Sequence, residues 1–408
     1  MIRRFNMFEI SSFISKFVTK RPESMFLGDI EANREKLTEK IEGKSVLVIG
    51  GAGSIGSSYI KAILPFRPKT LVVVDINENA LAELTRDLRS TEGMYVPDDY
   101  IPYPMDFASS VFRKMFIARG GFDIVANFSA HKHVRSEKDI YSVEALIRNN
   151  VLNAKILLDL LEQYPPEEYF CVSTDKAANP VNIMGASKRI MEDLIFSYSD
   201  KFPVKTARFA NVAFSNGSLP AGFLARISKL QPLSAPSDVK RYFVSPEESG
   251  QICMLSCMLG NNREIFFPKL EESQMMTFDS IATNLLKEHG YEVLRCDSDE
   301  AAIREAKNLR NGSLKYPVHY AVSNTSGEKS FEEFYTEAET LDMDRLSALG
   351  IITDKDIPSR NNLEVLFNKL TDVFAKDSTS KEEVVDIIKS YLPNFEHIEK
   401  GKSLDSKM

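Results

Sequence analysis

The 408-residue sequence has no tryptophan, only four cysteines and no run of about 20 apolar residues, the length that spans a bilayer. So few cysteines, with no Cys-x-x-Cys pair, exclude a disulfide scaffold and favour a reducing cytoplasm as the location. We predict no membrane span, and the first residues lack an apolar stretch followed by a cleavage site. Basic residues are in deficit, since 51 against 58 acidic ones give a net charge of −7. This balance argues against a nucleic-acid partner.

Residues 1–42 are predicted to form a helical extension. Apolar residues from Phe8 to Val18 recur at near-helical spacing, which indicates an amphipathic helix. It would pack on the body of the protein or on a second subunit, or lie on an anionic membrane surface. Packing on a second subunit would give a homo-oligomer. A second short helix, capped by Asp29, is predicted to end at Ile41.

From residue 45 onward, short apolar runs alternate with helix-length segments. Continuous apolar strands of this kind are typical of a doubly wound parallel sheet with helices on both faces. The predicted strands are 45–50, 70–75, 100–106, 123–130, 169–175 and 204–212. Beyond about residue 215 the alternation weakens, with a late strand at 264–268 and helices at 298–310, 331–340 and 381–392. The chain is therefore predicted to be an α/β protein of the Rossmann type.

A glycine-rich loop directly follows the first predicted strand and opens a helix. Gly50, Gly53 and Gly56 are spaced by three residues, and Ser54 and Ile55 lie in the first helical turn. The glycines permit a tight turn and a close approach of the backbone, and the helix start offers free N–H groups to a pyrophosphate. This context predicts a dinucleotide-binding loop.

Polar and aromatic residues at the next two strand ends complete the predicted nucleotide site. Asp75 can accept hydrogen bonds from both hydroxyls of an adenosine ribose, and its charge would repel a 2′-phosphate. Because Ile76 and Asn77 follow it instead of arginine, NAD is favoured over NADP. Asp106 and Phe107 stand where an adenine edge would lie, although Asp106 is almost equally well explained as a strand-end cap.

Two further groups have simpler explanations than catalysis or metal binding. His131, Lys132 and His133 follow the fourth predicted strand, and without an acidic or thiol partner nearby they are expected to form a pocket wall rather than a metal site. Cys253 and Cys257, four apart on an apolar helix, are expected to be core residues.

The most specific motif follows the fifth predicted strand. It reads Ser173, Thr174, Asp175, Lys176, and it is followed by Met184 and Lys188 at the start of a helix. With the glycine loop and the segments 129–134, 149–151, 208–212 and 327–329, this motif resembles the extended short-chain dehydrogenase/reductase superfamily. Within it, the sequence is similar to the UDP-N-acetylglucosamine 4,6-dehydratases of polysaccharide biosynthesis over about residues 43–330.

The resemblance implies a reaction that is internally redox-neutral. A hydride leaves C4 of a UDP-N-acetylhexosamine, a base removes the C5 proton, the 6-hydroxyl departs as water and the hydride returns to C6. By this likeness Asp175 is the general acid, Lys176 the base at C5, and Thr174 or Ser173 orients the hydroxyl. Adjacent residues of a regular strand point to opposite sides, so both can act only where the strand has ended.

Met184 departs from the superfamily pattern, in which a tyrosine four residues before Lys188 accepts the proton of the oxidised hydroxyl. A thioether cannot take that proton. A subset of the similar dehydratases also has methionine here, and Asp175 or Lys188 with a lowered pKa would then replace the tyrosine. A catalytically silent nucleotide-sugar-binding protein is one alternative. A UDP-sugar 4-epimerase, which needs no Asp–Lys pair, is the other.

The resemblance also implies binding residues and domain limits. Lys188 would contact the nicotinamide ribose. The other residues assigned to the cofactor are Ser129, Ala130, Lys132, Asn150 and Ser173. Those assigned to the substrate are His133, Asn211, Arg241 and Glu328. We expect an NAD-binding Rossmann domain at 43–215, a smaller substrate-binding region at 216–330 and a C-terminal helical region at 331–408.

Overall fold

The computed structural model describes residues 8–133, 137–322 and 333–398. The strands are β1 (Ser45–Ile49), β2 (Thr70–Asp75), β3 (Asp99–Pro104), β4 (Ile124–Asn127), β5 (Glu168–Val172), β6 (Val204–Ala207), β7 (Asn211–Val212), β8 (Leu233–Pro236), β9 (Lys240–Arg241), β10 (Phe243–Val244), β11 (Glu264–Pro268), β12 (Met276–Thr277), β13 (Glu292–Cys296), β14 (Lys315–Ala321), β15 (Thr340–Asp342) and β16 (Leu349–Thr353).

The helices are α1 (Ile10–Phe13), α2 (Leu27–Ala32), α3 (Arg34–Ile41), α4 (Ser54–Ile63), α5 (Glu78–Ser90), α6 (Ser110–Ala118), α7 (Ile140–Ile147), α8 (Asn153–Gln163), α9 (Ile183–Phe196), α10 (Leu219–Ser228), α11 (Pro246–Leu259), α12 (Phe278–Glu288), α13 (Asp299–Glu305), α14 (Arg360–Phe374) and α15 (Lys381–Tyr391). A π-helical turn, Ile14–Thr19, continues α1, and another, Arg148–Leu152, joins α7 to α8. None of the described helices has the length and apolar composition needed to span a membrane.

Nine strands form the main sheet in the part of the chain that the structure describes, in the order β15-β16-β11-β6-β5-β4-β1-β2-β3. The pairs from β3 to β11 are parallel, whereas β15 and β16 form an antiparallel edge. The predicted doubly wound α/β fold is confirmed. The strand order reverses between β1 and β4, which is where such sheets bind ligands, beyond the carboxyl ends of the strands.

Two apolar cores cover the two faces of this sheet. Leu47 and Ile49 of β1 point into one core, and Val46 and Val48 point into the other. Since both faces are buried, the strand is apolar from Val46 to Ile49. Cys253 and Cys257 lie fully buried on α11 in the second core, as predicted.

A second, smaller sheet is built later in the chain from three parallel strands, β13, β14 and β8. Its core includes Phe223 and Leu285 and also Phe13, Ile14 and Val18 of the amino-terminal helix. The extension therefore packs on the body of its own chain, which was one of the predicted alternatives.

Three details of the predicted secondary structure are wrong. Asp29 does not cap a helix: it lies inside α2 and accepts hydrogen bonds from the backbone N–H groups of Ser347 (2.7 Å) and Ala348 (2.9 Å). The helix predicted at 331–340 is replaced, in its described part, by turns and the start of β15, where Thr340 pairs with Thr353 of β16. The strand predicted at 204–212 leaves the main sheet after Ala207 and resumes as β7, which pairs with β10.

Candidate functional site

A cavity of about 430 Å³ opens beyond the carboxyl ends of β1, β2, β4 and β5, a volume typical of small-molecule sites. Most of the predicted site residues line it. They are Gly50, Gly53, Ser54, Ile55, Gly56, Asp75, Phe107, Ser129, Ala130, Lys132, His133, Ser173, Thr174, Asp175, Lys176, Met184, Lys188 and Asn211. Residues of the glycine loop, early in the predicted Rossmann domain, and of the 173–188 segment, late in it, thus line the same cavity.

The glycine loop forms one end of the cavity. Gly50 has a φ of +70°, and a Cβ at Gly56 would lie 2.4 Å from the carbonyl oxygen of Gly50. Any side chain at Gly56 would therefore push the loop away from α4. The N-cap of α4 is Gly53, with no side-chain cap, so the N–H groups of the first turn point to the cavity edge. Asp75 Oδ2 accepts from the backbone N–H of Ala52 at 3.1 Å, which fixes the carboxylate beside the loop.

Asp175 and Lys176 form the other end of the cavity. Strand β5 ends at Val172, and Asp175–Ala177 is a short 3-10 turn, so the two side chains are free of strand alternation. Asp175 Oδ1 lies 3.0 Å from Lys176 Nζ and accepts from Thr174 Oγ1 at 2.6 Å. The carboxylate is buried, which strengthens its pairing with the ammonium. The two side chains thus lie at the same end of the cavity, as the predicted acid and base would require.

Helix α9 presents Met184 and Lys188 one turn apart on the same face. Asn182 caps the helix by accepting from the N–H of Gly185 at 2.7 Å, and Glu137 Oε1 accepts from the N–H of Met184 at 2.9 Å. Lys188 Nζ donates to the carbonyl of Val172 at 3.0 Å. Burial lowers the pKa of the Lys188 ammonium, although Cys171 and Glu192 nearby act in the opposite direction.

A buried ion-pair network supports this end, and the sequence did not reveal it. Ser173 Oγ donates to Glu192 Oε1 at 2.6 Å, and Arg208 donates to both oxygens of Glu192 at 2.8 and 2.6 Å. Arg208 Nη1 also donates to Glu339 Oε2 at 2.9 Å, and Lys355 Nζ donates to the other oxygen of Glu339 at 2.9 Å.

These ion pairs favour the ionised forms of Glu192 and Glu339. Burial alone would raise the pKa of Glu192, but the Arg208 guanidinium holds it below its ordinary value. Burial likewise opposes ionisation of Glu339, yet Arg208 and then Lys355 lower its pKa to about 2. The one available signal was a charged residue, Arg208, in an apolar strand region, since buried charges need partners.

His131, Lys132 and His133 line one side of the cavity and are called here the cationic wall. Lys132 is exposed to the cavity, yet the surrounding protein atoms partly desolvate the side chain and lower the pKa of its ammonium. The same cause lowers the pKa of His131. Among the described residues, no group of three or more His, Cys, Asp or Glu side chains is placed to hold a metal ion.

Two predicted cofactor residues serve as local caps instead. The Asn77 side-chain oxygen accepts from the N–H of Ala80 at 3.0 Å and caps α5. Asp106 Oδ1 accepts from the N–H of Ala108 at 2.8 Å, which matches the alternative of a strand-end cap. Neither of these described side chains lines the cavity.

Two further predicted site residues, Asn150 and Arg241, do not line the cavity, and a third is not among the described residues. Asn150 is buried behind the wall, where it bonds the backbone N–H and C=O of His131 at 2.9 and 3.0 Å. Arg241 is buried on β9, and its guanidinium donates to the preceding carbonyl at 2.9 Å. Glu328 lies outside the described residues.

A segment that the sequence did not predict also lines the cavity. This is the 213–218 loop, which contributes Ser215, Asn216 and Ser218. The N–H of Asn216 donates to Ser54 Oγ at 2.9 Å, so the loop is joined to the start of α4. A Ser-Asn-Gly-Ser run is a turn signal, but nothing in it indicates which surface the turn would meet.

The fold and this cavity define an α/β protein of the doubly wound class with a small-molecule cavity at the point where the strand order reverses. The sequence profile described as "Polysaccharide biosynthesis protein" matches residues 46–352. The chain belongs to that family, and it is an extended short-chain dehydrogenase/reductase of the kind expected from the motifs.

Three relatives show how far the similarity extends. An uncharacterized membrane protein of Methanocaldococcus jannaschii is 28% identical over 360 residues, covering 86% of this chain and 97% of that protein. The probable polysaccharide biosynthesis protein EpsC of Bacillus subtilis is 28% identical over 71% of this chain, which spans only 48% of EpsC. A UDP-N-acetylglucosamine 4,6-dehydratase (inverting) of Campylobacter jejuni is 26% identical over 60% of this chain and 72% of that enzyme.

Solved structures share the fold at lower identity. Pen from Bacillus thuringiensis has a TM-score of 0.61 at 20% identity, covering 78% of this chain and 90% of that one. The dTDP-glucose 4,6-dehydratase DesIV from Streptomyces venezuelae, solved with NAD bound, has a TM-score of 0.51 at 18% identity, covering 69% and 88%. These likenesses support the α/β architecture.

Proposed function

We propose that this protein is an NAD-dependent 4,6-dehydratase that acts on UDP-N-acetylglucosamine. The observation that carries the proposal is the Asp175–Lys176 pair, which follows the end of β5 and faces the same cavity as the glycine loop. The named activity of the Campylobacter relative supports it. A dehydration of this kind needs an acid and a base beside a redox cofactor, and this cavity is lined both by the Asp175–Lys176 pair and by the glycine loop proposed to hold the cofactor.

The residues present fit a dinucleotide. Gly56 lies close against Gly50 and no side chain caps the first N–H groups of α4, so these groups are left for a pyrophosphate, and Asp75 stands at the end of β2, as expected of a ribose contact. We propose that this carboxylate selects NAD over NADP, and that Lys188 contacts the nicotinamide ribose. When bound, the nicotinamide supplies the reversible hydride transfer. Asn77, Asp106 and Asn150 are left out because their side chains do not line the cavity.

Asp175 and Lys176 would then move the protons. As an ionised carboxylate, Asp175 takes the C4 hydroxyl proton, with Thr174 orienting the hydroxyl, and later gives a proton to the departing 6-hydroxyl to form water. Lys176, as the neutral amine, removes the C5 proton. The ion pair in the structure corresponds to the state after these transfers, with a carboxylate at Asp175 and an ammonium at Lys176. As the hydride returns to C6, Lys176 gives its proton back to C5, which restores the neutral amine and completes the net loss of one water.

Asp175 therefore replaces the missing tyrosine in this scheme. Lys188 is the second candidate, since burial lowers its pKa and so favours the neutral amine. Its Nζ already donates to the Val172 carbonyl at 3.0 Å, whereas the hydrogen bonds that Asp175 accepts from Thr174 and Lys176 all go to Oδ1, so that Oδ2 would take the hydroxyl proton. We favour Asp175 on this ground.

The remaining substrate contacts are proposed in the same way. His133 and Asn211 line the cavity and would meet the UDP-sugar, with Arg241 and Glu328 assigned by family likeness alone. We further propose a cytoplasmic homo-oligomer.

The test is to incubate the purified protein with UDP-N-acetylglucosamine, with no NAD added, and to weigh the product by mass spectrometry. We expect the loss of one water and no consumption of external cofactor. An isomer of unchanged mass would instead indicate a 4-epimerase. Binding without any turnover would indicate a silent nucleotide-sugar-binding protein. Either of these two results would overturn the proposal.

A further inference from the structure

The 213–218 loop contains a strained aromatic residue. Phe214 has a φ of +54°, in the left-handed region that a bulky side chain rarely adopts. Such a conformation costs free energy and persists only when surrounding contacts hold it. Neighbouring side chains must therefore hold Phe214 in this conformation.

The amino-terminal extension supplies such a contact. The ring of Phe13 meets the ring of Phe214 edge-on, with centroids 5.7 Å apart and an interplanar angle of 86°. Phe13 is only 3% exposed and belongs to the core of the smaller sheet. An edge-to-face pair anchored in a core is a firm support for a half-buried loop residue.

The next residues of the loop reach the cavity. The Asn216 N–H donates to Ser54 Oγ at 2.9 Å, at the first turn of α4. A Cβ at Gly217 would lie 2.8 Å from Nε2 of His133, so the loop also lies against the cationic wall. Within four residues the chain thus joins the extension, the glycine-loop helix and the cavity wall.

We propose that the amino-terminal helix is a positioning element of this cavity, with Phe13 as the positioning residue. Its ring holds the left-handed turn at Phe214, and that turn places Asn216 against Ser54 and closes the loop over the phosphate-binding end. The identity of the enclosed ligand rests on the proposed function, whereas the closure of the loop does not.

Hydrogen exchange tests the closure directly in the full-length protein. Phe13→Ala is expected to speed exchange of the Asn216 amide about threefold to tenfold, the population change that corresponds to the loss of one edge-on ring pair. Phe13→Leu, which keeps most of the apolar bulk and loses the ring, should show the same direction. Phe8→Ala is the matched control, because Phe8 packs on Phe13 and His289 in the same segment.

Unchanged exchange in both Phe13 variants, with circular dichroism like that of the wild type, would overturn the proposal. So would an equal acceleration in Phe8→Ala. Neither result depends on what the cavity binds.

A rescue experiment separates positioning from general destabilisation. Glycine adopts a positive φ without strain, so Phe214→Gly added to Phe13→Ala should keep the turn without its anchor. We expect the dissociation constant for NAD, measured by calorimetry, to rise about tenfold in Phe13→Ala and to recover in part in the double variant. A double variant no tighter than Phe13→Ala would contradict the role of the turn. If wild-type protein binds no NAD, the proposed function fails while the exchange result still decides the present proposal.

Discussion

The two ends of the cavity are built in different ways. The glycine-loop end comes from one continuous stretch, β1 to the end of β2, and its geometry depends on backbone shape at Gly50 and Gly56. The Asp175–Lys176 end depends on charged side chains that are distant in sequence, such as Arg208 and Glu339, separated by 131 positions. The first end is a local structure, and the second is an assembly held by buried electrostatics.

The contrast implies that a substitution at one end of the cavity should leave the structure of the other end intact. A change at Asp75 or Gly56 should affect nucleotide binding and leave the ion pairs intact. A change in the Arg208 network should affect folding and proton transfer first. The following variants test this separation, from the largest expected effect to the smallest.

Lys176→Ala should have the largest effect on turnover. Removing the proposed C5 base is expected to lower kcat by about 10²–10⁴, the usual contribution of general acid–base catalysis. Cofactor content, measured by absorbance after denaturation, should stay at the wild-type level because the glycine-loop end is separate. Lys155→Ala, which removes an α8 lysine paired with Asp159, is the control. Unchanged kcat in Lys176→Ala would remove this lysine from the mechanism.

Arg208→Met should have the largest effect on stability. It leaves the Glu192 carboxylate buried without its main partner, and we expect a loss of about 3–5 kcal/mol in the free energy of unfolding. Arg34→Met is the matched control, since Arg34 pairs with Glu31 at an exposed site, where solvent screening leaves such pairs with little effect on stability. Urea unfolding followed by circular dichroism measures both.

The double variant Arg208→Met/Glu192→Leu sharpens this prediction. With both charges removed, no unpaired ion remains, so part of the lost stability should return. If the single variant is as stable as the wild type, the network does not support this end of the cavity as described.

Asp75→Asn should have a moderate and local effect. It removes the charged group proposed to accept from the ribose hydroxyls, so the dissociation constant for NAD should rise about tenfold, while that for NADP should fall. Titration of each nucleotide, monitored by calorimetry, gives the ratio. An unchanged NAD/NADP ratio would contradict the role of Asp75, and unchanged urea unfolding is expected as the internal control.

Glu339→Gln should have the smallest effect, visible as a pH dependence. The folded-state pKa of about 2 lies below the ordinary value of 4.5, so ionised Glu339 stabilises the fold above about pH 4.5 and this contribution is lost as the pH falls toward 2. The stability difference between wild type and variant, about 1–2 kcal/mol at pH 7, should therefore shrink below pH 4.5. A difference that is constant between pH 7 and pH 3 would count against the pair with Arg208.

The sequence predicted the elements whose conformation depends on residues that are adjacent in the chain. The strand–glycine–helix run of 45–56 determines its own conformation, so the cofactor end and the first six parallel strands could be predicted in outline. The strand ends were less accurate at 123–130 and 169–175, because their polar tips leave the sheet to form the cavity. Asp29 was misassigned because its partners lie at Ser347 and Ala348.

The scaffold of the other end could not be predicted, because it is formed by pairing across the chain. Nothing near Glu339 indicates that it meets Arg208, and nothing near Thr340 indicates a strand until β16 is in place. The extension was predicted as an amphipathic helix, but its contact through Phe13 with Phe214 required the fold.

The most direct test of the central claim follows one hydrogen atom. UDP-N-acetylglucosamine carrying deuterium at C4 is incubated with the protein, with no NAD added, and the product is examined by nuclear magnetic resonance. We predict a product that lacks one water and carries the deuterium at C6. A product of unchanged mass that retains the deuterium within the ring would contradict the account.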